Sequence, residues 1–349
     1  MFSRISFICL PALFCLTTAF AQQPSTQPPV PDNAIHLDVV VTPKSGQPVA
    51  DLQQQDFTVL DNNTANPITS FKAVTGSSAP VEVVIVIDAV NTSYQNIAYE
   101  RQQISKFLRD NGGHLAYPTT LAVITDTGSK MQQAFSTDGN AIDQSLSDYT
   151  IGLRDLRRSS GFYGASERLQ ISLNAIRQMT GYEAARPGRK IILWISPGWP
   201  ILSGPGVQLQ AKEQQQIFND IVQLSTEMRK GRITLYSLDS LGVSENLLRV
   251  NYYQDFMKGV KKASQTSLGN LSLQVLAVQS GGQAYNSSGL AIIMQKSLDD
   301  CKAFYEVTIQ PLPAETRDEY HQLEVKVAKA GLVARTRTGY YAEPAAPHQ

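Results

Sequence analysis

The spacing of hydrophobic positions changes twice along the chain and divides it into three regions. Between residues 34 and 78, Leu37, Val39 and Val41 alternate with outer-face positions, Lys44 to Gly46 marks a turn, and Phe57, Val59, Ile68 and Phe71 supply later strands. From about residue 79 the pattern becomes continuous apolar runs separated by helical periods. Val81 to Asp88 reads as a buried strand, and Ile97, Ile104, Phe107 and Leu108 fall on one face of a helix from Ser93 to Asp110, stopped by Gly112-Gly113. Thr120 to Thr125, KIILWIS (190–196) and ITLYSLD (233–239) are further strands. Helices are predicted at 166–180, 209–229, 268–278 and 290–301. After residue 304 alternation returns, with three strands expected in FYEVTIQP, HQLEVKVA and LVARTRTGYY.

Strands alternating with helices imply a mostly parallel, doubly wound sheet covered on both faces. The predicted fold class is therefore α/β, a domain over 79–303 inserted between β segments at 34–78 and 304–343. The two flanks are expected to pack as one small β-sandwich, since three or four strands alone are marginal; the alternative is two separate β caps.

The first residues carry a different signal. Arg4, the apolar run Ile5 to Leu16 and Ala19-Phe20-Ala21 read as a secretory signal over 1–21, followed by a Gln-, Pro- and Ser-rich linker to residue 33; 344–349 reads as a tail. Export to the periplasm, the outer surface or the medium is the expectation. Pro11 interrupts the run, which is shorter than the ~20 apolar residues of a spanning helix, so no membrane span is expected. Removal of Cys9 and Cys15 with the signal would leave Cys301 alone, a thiol expected to be buried and inert. Stability must then come from packing, and 42% hydrophobic residues suffice for one large core with a satellite. Thirty basic residues balance thirty acidic ones with no basic block, which argues against nucleic acid as a partner.

Asp88 is the leading site candidate. It ends the seven-residue run Val81 to Ile87, apolar but for Glu82, and leads into a helix, at the carboxyl end of a parallel strand, where open α/β sheets place ligands. Asn91 and Thr92 follow it with oxygen atoms that could assist a cation. The same residue types also suit capping of the next helix. The loop SPGWPILSGPG (196–206) sits after a neighbouring strand with Ser196 and Trp199; Trp199 is either displayed for protein contact or folded back over the sheet end.

Other apparent chemistry fails on context. Asp126-Thr127-Gly128-Ser129 spells an aspartic-protease signature, but such enzymes need two carboxylates sharing a proton, and no second copy occurs. His36, His114, His321 and His348 are scattered, His321 at a strand start that suits an edge or interface. No P-loop, GxGxxG or GxSxG motif is present.

The segments VVVTPKSGQPVADLQQQDFTVLD, VIVIDAVNT, KIILWISPG, ITLYSLDSLG, LAVQSGGQAY and HQLEVKVAKAGLVARTRTGYYA, in this order, resemble the VWFA-related family of the Acidobacterial type, with a von Willebrand factor A-like domain. The resemblance covers nearly the whole mature chain and implies an exported bacterial binding protein with no established enzymatic chemistry. In the wider superfamily a metal-ion-dependent adhesion site uses DxSxS, a loop Thr and a later Asp. Asp88 matches the Asp of DxSxS, and Thr92 keeps a hydroxyl at its second Ser. Val90 replaces its first Ser, Pro197 stands in the later carboxylate's place, and Ser159, Ser160 and Ser166 are candidates for the Thr.

The resemblance thus implies a degenerate site at Asp88 and Thr92, with no dedicated cofactor and at most weak Mg²⁺ or Mn²⁺ binding. The functional expectation is a non-enzymatic protein-binding module using Asp88, Asn91, Thr92, Ser196 and Trp199. The alternative is an exported hydrolase with dispersed acids at Asp88, Asp126 and Asp239.

Overall fold

A computed structural model describes residues 33–44, 46–76, 80–132, 134–149, 161–200, 208–241 and 252–342. The predicted signal peptide, nearly all of the linker, the tail, Ser159, Ser160 and residues 201–207 of the Trp199 loop lie outside the described residues. The described residues belong to one compact unit, Asn33–Gln349.

Four strands come first: β1 (Ile35–Pro43), β2 (Phe57–Asp61), β3 (Thr64–Asn66) and β4 (Ile68–Thr75). The β2–β3 hairpin turns on Asn62 and Asn63, both at positive φ (47° and 64°), as a two-residue turn matched to strand twist requires. The α/β region follows with β5 (Val81–Asp88), α1 (Tyr94–Arg109), β6 (His114–Thr125), β7 (Gly128–Met131), β8 (Ser136–Asp138), α2 (Gly139–Tyr149) and α3 (Gly161–Ala184). It continues through β9 (Arg189–Ile195), α4 (Ala211–Lys230), β10 (Ile233–Asp239), α5 (Leu273–Gln279), β11 (Ala284–Asn286) and α6 (Leu290–Asp299). The chain returns to strands in β12 (Ala303–Ile309), β13 (Glu319–Val327), β14 (Leu332–Arg335) and β15 (Gly339–Ala342).

The central sheet runs β11-β10-β9-β5-β6-β7, with β8 also on β6; β5, β6, β9, β10 and β11 are parallel, and β7 and β8 are antiparallel additions. Because β5 pairs forward with β6 on one side and with β9 on the other, strand order reverses between β5 and β9. That reversal opens a crevice at the carboxyl ends of these two strands. Each face is covered. Val83, Ile85 and Ile87 pack with Ile97, Ile104 and Leu108 of α1 and Met294 of α6, while Val84 and Val86 pack with Leu173 and Ile176 of α3 and Ile221 and Leu224 of α4.

Strands from both ends of the sequence mix in each antiparallel sheet. One sheet is ordered β14-β1-β12-β4 and the other β15-β13-β2-β3. Their inner faces share a core of Leu37, Val39, Val41, Phe57, Val59, Tyr305, Val307 and Leu323. The outer faces meet the α/β layer. Arg232 pairs with Asp38 and with Glu306, and the fully buried Arg189 stacks over Phe304 at 4.7 Å.

Three expectations need correction. LVARTRTGYY was read as one strand, whereas β14 pairs with β1 and β15 with β13, so the chain changes sheet at residues 336–338. The cause is the sandwich corner, where Thr338 donates its N–H to Gln279 and accepts from Leu323. The hairpin strand β7 and helix α2 have no counterpart among the expected elements, because β7 is only four residues long and the apolar stripe of α2 is the pair Ile142 and Leu146. Finally, the predicted helix 268–278 is a single 3₁₀ turn at Leu268–Leu271 and then α5, with extended backbone at Ser272 between them.

Candidate functional site

Asp88 lies at the reversal point as predicted, on the same face of the sheet as Val84 and Val86, and is fully buried. Its Oδ1 accepts from the backbone N–H groups of Val90 (3.1 Å) and Asn91 (3.0 Å). Its Oδ2 accepts from the Asn91 side-chain amide (2.8 Å) and from the Trp194 indole N–H (3.0 Å). Trp194 reaches it from β9, where it pairs with Val86 one step back from the strand end. Burial pushes the Asp88 carboxyl above the usual carboxylate range, opposed by the hydrogen bonds from Asn91, Trp194 and Ser196. Four N–H donors converging on two oxygens favour the ionised form locally and fix the turn into α1.

The other predicted residues gather around this carboxylate. Asn91 bridges Asp88 to the Ser172 hydroxyl on α3 at 2.9 Å. Thr92 is buried, and its hydroxyl has no hydrogen-bond partner. Ser196 is buried and accepts from the Gly198 N–H at 3.1 Å. Trp199 is 1% exposed and packs edge-on against Trp194 at 5.2 Å. The display of Trp199 for contact is thus corrected: the ring folds back over the sheet end, where stacking on Trp194 buries apolar surface that would otherwise face water. Helix α1 is capped by Ser93, which accepts from Asn96, so Asp88 is not its N-cap. Ser166 lies partly exposed on α3.

A second acid stands behind the first. Glu100 occupies the buried stripe of α1, fully enclosed, with the Ser240 hydroxyl donating to its Oε1 at 2.8 Å and its Oε2 unpartnered. Burial pushes its carboxyl up to about 8; the Ser240 bond lowers it, and the nearby charges of Asp88 and Asp239 raise it further. Asp239, at the end of β10, accepts from the Leu241 N–H (2.9 Å) and the Asn286 amide (3.1 Å). Sequence reasoning passed over Glu100, although an acid at three residues after Ile97 and four before Ile104 was a visible break in an apolar stripe. Trp194 and Ser172 carried no such signal, since each reads as an ordinary core or helix residue.

The remaining motifs resolve into structure. Asp126 and Thr127 form the exposed two-residue turn of the β6–β7 hairpin, with Gly128 at φ 119°. His321, expected at an edge, is instead 2% exposed in β13. Its Nδ1 lies 2.8 Å from Asp61 Oδ1, and the Tyr340 hydroxyl donates to Asp61 Oδ2 at 2.6 Å. This trio ties three strands of one antiparallel sheet together. Gly281 (φ 93°) and Gly282 make the predicted turn from α5 to β11; a Cβ on Gly282 would fall 1.8 Å from the Leu235 carbonyl oxygen.

Among the described residues no group of three His, Cys, Asp or Glu side chains is arranged to hold a metal, and no helix is long and apolar enough to cross a membrane.

No family model and no curated protein sequence matches the chain. Solved structures do. Human COPII-coat protein Sec24c aligns at 10% identity and TM-score 0.37, over 76% of this chain and 44% of that one. Proximal thread matrix protein 1 of the mussel byssus aligns at 11% identity and TM-score 0.39, over 69% of this chain and 51% of that one. The TFIIH p34 N-terminal domain aligns at 13% identity and TM-score 0.30, over 63% of this chain and 97% of that one. This chain therefore spans about half the length of the first two. Likeness at this level carries no argument about function.

Proposed function

We propose that the protein is an exported, non-enzymatic protein-binding module of the von Willebrand A-like kind, whose sheet end works without a metal ion. The observation that carries this reading is the Asp88 carboxylate, whose two oxygens already accept four N–H donors. A Mg²⁺ ion needs near-octahedral oxygen ligation, and here it would have to displace the indole or amide donors while Glu100, the acid behind Asp88, is kept protonated by burial. Recognition then falls to side chains exposed on α1 and α6, the helices that follow β5 and β11. Tyr94 is 60% and Ile292 72% exposed, and between them the Tyr99 hydroxyl donates to the Ser288 carbonyl.

A hydrolase would need Asp88, Asp126 and Asp239 free to reach one substrate. Asp126 stands on an exposed turn, and the other two are held by N–H donors. Thermal melts with millimolar Mg²⁺ or Mn²⁺ test the metal-free reading, because a ligand at a hundredfold excess over its Kd adds ~2.7 kcal/mol. An unchanged Tm is expected; a rise that Asp88→Asn abolishes refutes it. Cross-linking in the native envelope should capture a protein with the wild type and lose it with the Tyr94→Ser/Ile292→Ser double variant. Equal capture by both would remove this surface from the reading.

A further inference from the structure

The antiparallel layer contains a groove that the sheet-end reading does not use. Residues Leu323 to Val327 of β13 pair with β2 on one side, whereas β15 covers only Glu319 to Gln322 on the other. The Leu323 N–H donates to Thr338 on that second side, so by the two-residue period Val325 and Val327 turn their backbone groups the same way. Among the described residues no strand is hydrogen-bonded to them. Across the gap runs β14, which pairs only with β1. The change of sheet at 336–338 splays these two strands apart and leaves a cavity of about 560 Å³. Leu323, Val325, Val327, Leu332 and Ala334 supply apolar lining, and Arg337 lines it as well.

Arg337 is the unusual member. It is 7% exposed and makes no hydrogen bond or ion pair with the described residues. Its neighbours in the groove are compensated: Arg335 pairs with Asp300, and Lys326 lies 3.7 Å from Glu324. Arg229, on α4, adds a second positive charge near Arg337, and its own Nε is buried without a partner. Burial and the Arg229 charge push the Arg337 guanidinium down to about 10, opposed by the charge of Asp38, which Arg232 already engages. A buried cation without a hydrogen-bonded counter-ion is costly, and replacing such a group by an apolar one of similar size commonly stabilises a protein.

We propose that this groove binds an extended peptide segment of a partner protein, which adds as a strand along the open edge of β13 and places a carboxylate on Arg337. Strand addition gives main-chain hydrogen bonds to Val325 and Val327, and the aliphatic lining takes alternate side chains. The arginine supplies a charge-assisted, two-pronged contact that selects an acidic residue. A free oxyanion would use the arginine alone and leave the strand edges and the aliphatic walls unemployed.

The test is a selection of displayed random octapeptides on the full chain, wild type and Arg337→Met in parallel. Wild type should enrich peptides with Asp or Glu at a fixed position. Binding of a selected peptide should weaken about tenfold or more with Arg337→Met, the loss of a hydrogen bond to a charged group. Hydrogen exchange at the Val325 and Val327 amides should slow when the peptide binds. Free Arg337→Met should melt higher than wild type, by ~2 °C or more. The proposal is overturned if no peptide is enriched, if the selected peptides lack a fixed acid, or if both proteins bind them equally. A lower Tm for Arg337→Met overturns it too, by showing the charge is compensated within the fold. Inorganic phosphate that raises the Tm of wild type alone, with no peptide enriched, would replace the peptide by a free anion.

Discussion

Glu100→Gln isolates one perturbed acid at the sheet end. The side chain is fully buried, and its carboxyl is pushed up to about 8 from an ordinary 4.5 by burial, with Asp88 and Asp239 contributing. At neutral pH it is therefore a neutral acid, and unfolding releases its proton. The sign follows from linkage: the folded state holds more protons between pH 4.5 and 8, so stability falls as pH rises. The contribution is intact below pH 4.5 and lost once pH passes about 8. The slope approaches about 1.4 kcal/mol per pH unit, so the whole window amounts to a few kcal/mol. Glutamine keeps the acceptor for Ser240 and cannot ionise. Urea denaturation at pH 5, 7 and 9 should show wild type and variant similar at pH 5, with the variant gaining on wild type by about 1.4 kcal/mol per pH unit up to about pH 8 and no further above it. The difference between the two curves removes the titration of every other group. Parallel curves, or a variant weaker at pH 9 than at pH 5 relative to wild type, would refute the reasoning.

Asp88→Ala should lose ~3 kcal/mol or more in chemical denaturation, because four N–H donors, those of Val90 and Trp194 buried and the two of Asn91 partly so, are left without an acceptor. A loss near ~1 kcal/mol would mark it as an ordinary cap. Cys301, fully buried with its thiol pushed up to about 12, should ignore a thiol reagent in the native state and react after unfolding; rapid native labelling would contradict the packing around it. Tyr340→Phe strips Asp61 of its 2.6 Å donor and should cost ~1–3 kcal/mol, read as a lower Tm; an unchanged Tm would show that the His321 contact alone satisfies Asp61.

Much of the fold was legible because period and burial agree. The run Val81 to Asp88 is the central strand β5, ITLYSLD is β10 to the residue, and α1 begins within one residue of the expected Ser93, which caps it in place of Asp88, Asn91 or Thr92. Periodicity could also suggest that both flanks belong to one β layer, since neither is large enough alone. It could not show the corner at 336–338, where tertiary hydrogen bonds override a continuous strand pattern. At the site, the location of Asp88 was readable from its place at a strand end, but its partners were not. Trp194 meets it diagonally from a strand more than a hundred residues away, and an indole in an apolar run gives no sign of where its N–H points. The same holds for the trio of Asp61, His321 and Tyr340, in which the whole α/β region separates Asp61 from the other two.

The shared antiparallel layer sets an order of events during synthesis. β1 and β2 find their partners in β12 and β13, about 260 residues later, whereas the parallel sheet between them closes through much shorter connections. Non-local pairing of this kind is slow to form. The α/β region is expected to fold first and bring the two flanks together, so that the early strands wait with open edges until the last forty residues arrive. A chain cut before β12 would keep those edges exposed, and aggregation of such fragments is the failure this arrangement invites.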